Sequence, residues 1–209
     1  MNGTPAPGRR WLEWLVWVAI AATVVLLGFR FLQRPASLPV IGTVAPFRLT
    51  NQFSQTVTPA DLRGQVWIAD VIFTRCPGPC REMSLRMAEL QKDLPASLPV
   101  RFVSLTADPV IDTPAVLADY ARTVGAASNR WIFLTGPKAE IYRLAIQDLK
   151  LTVMEQPDGP ATRLEDLFLH STTFVVVDRR GRLRGAFDLA QPGRIEDLKV
   201  AVRNLVEER

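Results

Sequence analysis

Soft metal ligands are scarce in this chain. Its 209 residues include two cysteines, Cys76 and Cys80, one histidine, His170, and four methionines. Two cysteines cannot build the disulfide framework of a small secreted scaffold. They stand for a redox pair, a metal site or a single structural bridge. A dominant charge sign is missing as well, because 25 basic residues are scattered among 21 acidic ones. No long basic run marks a nucleic-acid surface, and no nucleic-acid partner is expected. Internal repeats and low-complexity tracts are absent. What remains, 48% hydrophobic and 22% charged, is an ordinary globular composition. It leaves room for one sizeable domain plus appendages.

One long apolar run stands out. Leu15 to Phe29 holds only apolar and small residues, with Thr23 its sole hydroxyl. Counted outward to Trp11 and Leu32, it is long enough to cross a hydrocarbon core of about 30 Å. Trp11, Trp14 and Trp17 gather at one end, as interfacial tryptophans do, and Glu13 lies in the same zone. A cleaved signal peptide typically has a shorter apolar region, and no convincing Ala-x-Ala cleavage site precedes Arg30-Phe-Leu-Gln-Arg34. The expected organisation is a tail over 1–10, a retained transmembrane anchor over 11–32, a linker over 33–45 and a soluble domain over 46–209. Arg9 and Arg10 before the span balance Arg30 and Arg34 after it, so charge alone does not orient the anchor.

In the soluble part, Phe47–Thr50 and Thr56–Val57 suggest a small hairpin. Val66–Phe73 is β-rich and nearly continuously apolar, which fits a buried central strand. Glu82–Lys92 has helical spacing, with Met83, Met87 and Leu90 on one face that is expected to be core. Val100–Leu105 and Trp131–Leu134 read as further strands. Thr113-Pro114 opens a helix to about Val124, with threonine capping and proline in the first turn. A second helix runs from Pro137 to about Leu149. Thr173–Asp178 and Leu183–Phe187 flank Arg179-Arg-Gly181 as a hairpin, and Ile195–Val206 closes the chain as an amphipathic helix. Leu151–Glu165, rich in proline, glycine and charge, is expected to be an irregular excursion. Strands alternating with helices give an α/β fold class.

The cysteines fall where the Val66–Phe73 strand passes into a helix beginning near Pro79 or Cys80. A helix N-terminus, together with Arg75 and Arg81, is expected to favour thiolates there. Three intervening residues let both sulfurs meet at one point or close a disulfide. His170 precedes the Thr173–Asp178 strand. Two thiolates with one imidazole suit copper, with sulfur selecting Cu(I) and imidazole also accepting Cu(II). The same set describes an open zinc site. A plain disulfide beside a surface histidine is the third reading, and chemistry alone leaves all three open. Asp108 and Asp112 beside the Thr113 helix start are accounted for by capping and turn roles.

Four stretches then carry a resemblance: Val71-Ile-Phe-Thr-Arg-Cys-Pro-Gly-Pro-Cys80, Ser104-Leu-Thr-Ala-Asp-Pro-Val-Ile-Asp-Thr-Pro114, Trp131-Ile-Phe-Leu-Thr-Gly136 and His170-Ser-Thr-Thr-Phe-Val-Val-Val-Asp178. In these, and in their order, the chain resembles the Sco/SenC family of membrane-anchored copper chaperones that assist cytochrome c oxidase assembly. The resemblance implies a thioredoxin-like fold with an N-terminal hairpin, preceded by one transmembrane helix. It implies copper, as Cu(I) or Cu(II), held by Cys76, Cys80 and His170, with the cysteines also acting as a redox pair. It implies a bacterial inner-membrane protein with its C-terminal domain in the periplasm. The implied partners are the copper-receiving oxidase subunit with its binuclear centre, and a thiol reductant or another copper chaperone.

Arg81 stands where the family commonly has proline, Gly78-Pro79 lacks a frequent acid, and Leu169 replaces another. The alternative function is a thiol–disulfide oxidoreductase acting on an oxidase subunit or another extracytoplasmic client. Against it, the cysteine spacing is wider than Cys-x-x-Cys and Ser171-Thr-Thr173 supplies no proline. A peroxidase of the same fold wants a Thr-x-x-Cys setting, and Thr74 is too close to Cys76 for that.

Overall fold

Val66–Ile72 forms β4, whose seven residues are all buried. Such a strand needs cover on both faces, and the alternating helices supply it. It pairs in parallel with β5 (Val100–Thr106) over seven registered positions, from Val66↔Val100 to Ile72↔Thr106. β5 pairs in parallel with β6 (Trp131–Thr135). On the other side β4 meets β9 (Thr173–Val177) antiparallel, and β9 turns into β10 (Arg182–Asp188). The computed structural model describes residues 10–32, 38–76, 78–155, 168–170 and 172–208, apart from the side chains of residues 10, 12, 27–32, 154, 155 and 168–170.

The edges are short strands. β1 (Gly42–Thr43) adds to β10, and the hairpin of β2 (Leu49–Asn51) and β3 (Thr56–Val57) adds to β6. The sheet order is β1-β10-β9-β4-β5-β6-β2-β3. This is the mixed α/β, thioredoxin-like arrangement with the expected hairpin. In chain order the helices are α1 (Arg10–Leu32), α2 (Pro59–Leu62), α3 (Pro79–Asp93), α4 (Pro114–Thr123), α5 (Lys138–Tyr142) and α6 (Arg194–Glu207), with a π-helical turn at Arg143–Asp148 continuing α5.

Local chemistry explains the boundaries. Pro79 and Pro114 occupy first turns, where a missing N–H costs nothing, and the Thr113 side chain accepts the Val116 N–H. Gly181 sits at φ +80° in the β9–β10 turn, a region that favours glycine. In the core, Trp131 stacks on Phe133 at 5.0 Å, and its Nε1–H donates to Ser104 Oγ at 3.0 Å. Met83 and Met87 are buried, as their helical face requires.

Several expectations shift. Residues 38–45, expected as linker, belong to the compact unit of 37–209. Ile41 N–H donates to the Leu183 carbonyl, and Val44 N–H to that of Gly181. The 151–165 excursion is not irregular throughout: Val153–Glu155 (β7) pairs with Phe168–His170 (β8) as a separate two-stranded ribbon. The residues between these strands, 156–167, lie outside the described ones.

α1 is one continuous helix of 23 residues, and its described side chains are exposed. Among the described residues no helix is long and apolar enough to cross a membrane.

Candidate functional site

Three chain segments meet at the edge where β4 and β5 end. The first comprises the turn Phe73–Cys76 and the start of α3. Cys76 N–H donates to the Phe73 carbonyl at 3.2 Å, closing a turn, and α3 then starts at Pro79. Both cysteines are reduced and buried. Burial pushes the Cys80 thiol far up, and its hydrogen-bonded partner Cys76 pushes it further. The expectation that the helix N-terminus and the arginines favour thiolates is therefore corrected for Cys80 in the metal-free state. Desolvation outweighs the helix terminus, and the Arg75 guanidinium is engaged elsewhere.

That partner belongs to the second segment, residues 107–113 after β5. Arg75 Nη2 donates to Asp108 Oδ2 at 2.8 Å. Asp112, fully buried, accepts Thr74 N–H at 3.1 Å, Thr74 Oγ1–H at 2.5 Å and Thr106 Oγ1–H at 2.5 Å. These two acids therefore do more than cap and turn, because Asp108 reaches Arg75 and Asp112 reaches Thr74, the two residues before Cys76. Sequence spacing carries little sign of that. The nearest signal is a pair of acids in a loop that follows the strand parallel to β4.

Beneath the thiols lies a group that sequence reasoning missed. Asp70 sits in the middle of β4, fully buried, and among the described residues neither carboxyl oxygen has a hydrogen-bond partner. Ser104 faces it across the β4–β5 ladder and pulls its pKa partly down without closing a normal hydrogen bond. Burial wins, and the carboxyl is raised to about 7. Its charge in turn opposes ionisation of Cys80 and of Tyr120, whose phenol pairs with Ser84 Oγ at 2.9 Å. The visible signal was an acid inside an otherwise apolar strand.

The third segment is the approach to β9. Ala69 registers with Val175 and Ile68 with Val176, so β9 begins at the edge where β4 ends. His170 closes β8 just before it, with its backbone registered on Val153. The His170 side chain lies outside the described residues. The structure thus brings Cys76 and Cys80 together and gives only the backbone position of His170. Two buried sulfurs in mutual contact suit a soft monovalent cation better than a hard, oxygen-seeking one. They can equally lose two electrons and two protons to form a disulfide.

Comparisons with known proteins bear on this site. The model of the family described as SCO1/SenC matches residues 38–207. A protein of Bacillus subtilis (strain 168) named SCO1 protein homolog is 35% identical over 147 residues, covering 69% of this chain and 73% of its own length. Among solved structures, BsSco is described as a member of the Sco family of cytochrome c oxidase assembly proteins with a disulfide switch. It superposes with a TM-score of 0.71 at 29% identity, covering 83% of this chain and 99% of its own. Bradyrhizobium japonicum ScoI with copper bound gives a TM-score of 0.57 at 25% identity, covering 76% and 99%.

Proposed function

Since the chain belongs to the SCO1/SenC family, we propose that it is a copper carrier whose cargo is held by the Cys76 and Cys80 sulfurs with the His170 imidazole. On this reading it assists metallation of the binuclear copper centre of cytochrome c oxidase. The observation that carries the proposal is the contact between the only two cysteines, both reduced and buried at the edge where β4 ends. Support for copper as cargo comes from the copper-bound relative, and support for oxidase assembly from the family description of BsSco. α1 would serve as a single-pass inner-membrane anchor with residues 37–209 in the periplasm. That topology is tested by a reporter active only in the cytoplasm, fused after Pro39, which should stay silent.

In the metal-free protein burial keeps the Cys80 thiol protonated, so loading Cu(I) on its sulfur displaces that proton. Affinity should therefore rise with pH. The closed disulfide offers no thiolate, so the oxidised protein should not load. Anaerobic Cu(I) titration of the reduced full chain in detergent, with metal quantification, should give one copper per chain. Cys76→Ala and Cys80→Ala should each abolish that stoichiometric binding, and His170→Ala should weaken it markedly. Unchanged binding in both cysteine variants would remove the site.

One observation favours a second reading, a thiol–disulfide oxidoreductase: the sulfurs already contact each other, at a spacing that allows a disulfide. Turnover of a client disulfide by the copper-free protein, lost in Cys76→Ala, would favour it over carriage.

A further inference from the structure

The turn that carries Cys76 and the loop after β5 are braced to each other at three points. The innermost is between backbones, where Ala107 N–H donates to the Ile72 carbonyl at 2.8 Å. The outermost is the Arg75–Asp108 pair, half open to water and weak for that reason. Between them sits Asp112, buried, holding Thr74 by both its N–H and its hydroxyl, and Thr106 by its hydroxyl. Thr106 Oγ1 in turn accepts the Asp108 N–H at 3.0 Å. The loop closes on itself as well, since the Ile111 and Asp112 N–H groups both donate to the Asp108 carbonyl.

Thr74 lies inside the turn closed by Cys76 N–H and the Phe73 carbonyl. Fixing Thr74 by main chain and side chain together limits where the next two residues can go. We infer that Asp112 is a positioning residue: it fixes the turn so that the Cys76 sulfur is held against Cys80, and it thereby sets the dithiol–disulfide balance of the pair. Asp112 touches neither cargo nor reacting sulfur in this assignment and acts only through Thr74. The sign follows from entropy. A held Cys76 sulfur has a high effective concentration at Cys80, and loosening the turn frees the dithiol form more than the cross-linked form. The brace therefore favours the disulfide. This inference rests on the reading that the two cysteines work as one unit, and it does not depend on copper.

The test is equilibration of the metal-free full chain in detergent against glutathione buffers. Glutathione disulfide takes two electrons from the cysteine pair and leaves as two glutathione thiols carrying the two protons. Alkylation and mass measurement then read the fraction of dithiol. Thr74→Val keeps the side-chain shape but removes one donor to Asp112. It should shift the equilibrium toward dithiol by about three- to tenfold, the worth of a hydrogen bond. Thr74→Ser keeps the donor and should restore the wild-type value. Asp112→Asn should shift it the same way as Thr74→Val, and if that buried variant does not fold, the threonine pair decides alone. An equilibrium unmoved by Thr74→Val, or moved equally by Thr74→Ser, would overturn the assignment. Failure of copper to bind the wild type would sink the carrier reading and leave this result standing.

Discussion

Two buried carboxylates on neighbouring strands show opposite designs. Asp178 follows β9 at the end away from the cysteines. Its oxygens accept the N–H groups of Arg180 and Arg182 and the guanidinium groups of Arg182 and Arg184. Burial would raise its pKa, but the two arginines overcome that and hold it below the usual carboxylate range. Asp70, in the middle of β4, has no such partners and is raised to about 7 by burial. One end of the sheet is finished electrostatically. The other leaves a polar group unsatisfied under two thiols, and a cost tolerated at one place and avoided at another marks where stability yields to chemistry.

The largest effect should come from the finished end. Arg184 is 2% exposed and joins Asp178, Glu208 and the Leu38 carbonyl. Arg184→Met removes the one cation shared by both acids and leaves Asp178 buried with half its compensation. Unfolding of the reduced full chain in detergent should show a loss of about 3–5 kcal/mol. The dithiol–disulfide equilibrium should stay where it was. A loss below about 1 kcal/mol would show that Arg182 alone satisfies Asp178 and would blunt the contrast.

Next in size is Asp70→Asn, with the opposite sign. In the folded, metal-free protein this carboxyl titrates near 7, against 3.8 for its ordinary value. Between those values the folded chain holds a proton that the unfolded chain has lost. Wild-type stability therefore falls as pH rises from about 4 to about 7, and is flat above that for this group. The asparagine variant lacks the titration. It should match the wild type to within its own amide burial at pH 4 and gain up to about 4 kcal/mol by pH 8. A difference that does not change with pH would mean that Asp70 keeps an ordinary acidity despite its burial.

Much of the fold around the candidate site was readable because its carriers are local patterns. Val66–Phe73 announced a buried strand by its run of β-formers, and Thr113-Pro114 announced a helix start by its cap. What escaped depended on contacts between distant residues. Asp70 was hidden because one acid hardly disturbs an apolar run, and its burial is set by β5 and β9 rather than by its neighbours in sequence. Asp108 and Asp112 looked like turn formers because nothing local reveals that Thr74 and Arg75 lie across the strand ends. β1 escaped because a two-residue edge strand has no period to detect. β7 lay inside a segment whose prolines and glycines argued for loop throughout.

The smallest effect should come from Arg81, and it asks whether the cysteine end is tuned by charge as the Asp178 end is. With two thiolates and a neutral imidazole, the proposed site carries one net negative charge with Cu(I) and none with Cu(II). A nearby cation therefore favours Cu(I) and raises the copper midpoint potential. Two arginines flank the cysteines, but they are not equivalent. Arg75 has Asp108 at 2.8 Å, so its field is largely cancelled. Arg81 lies exposed on the first turn of α3, where water and salt weaken its influence. One unit charge about 10 Å away in water is worth about 0.4 kcal/mol, so Arg81→Glu, a change of two charges, should act with less than about 1 kcal/mol. The potential should drop slightly in the variant at low ionic strength, and the drop should shrink as salt is added. Copper stoichiometry should be unchanged in both proteins. A potential that is unchanged or higher at low salt would mean that the cysteine end is set by burial and by its braced turn, with no contribution from the exposed arginine.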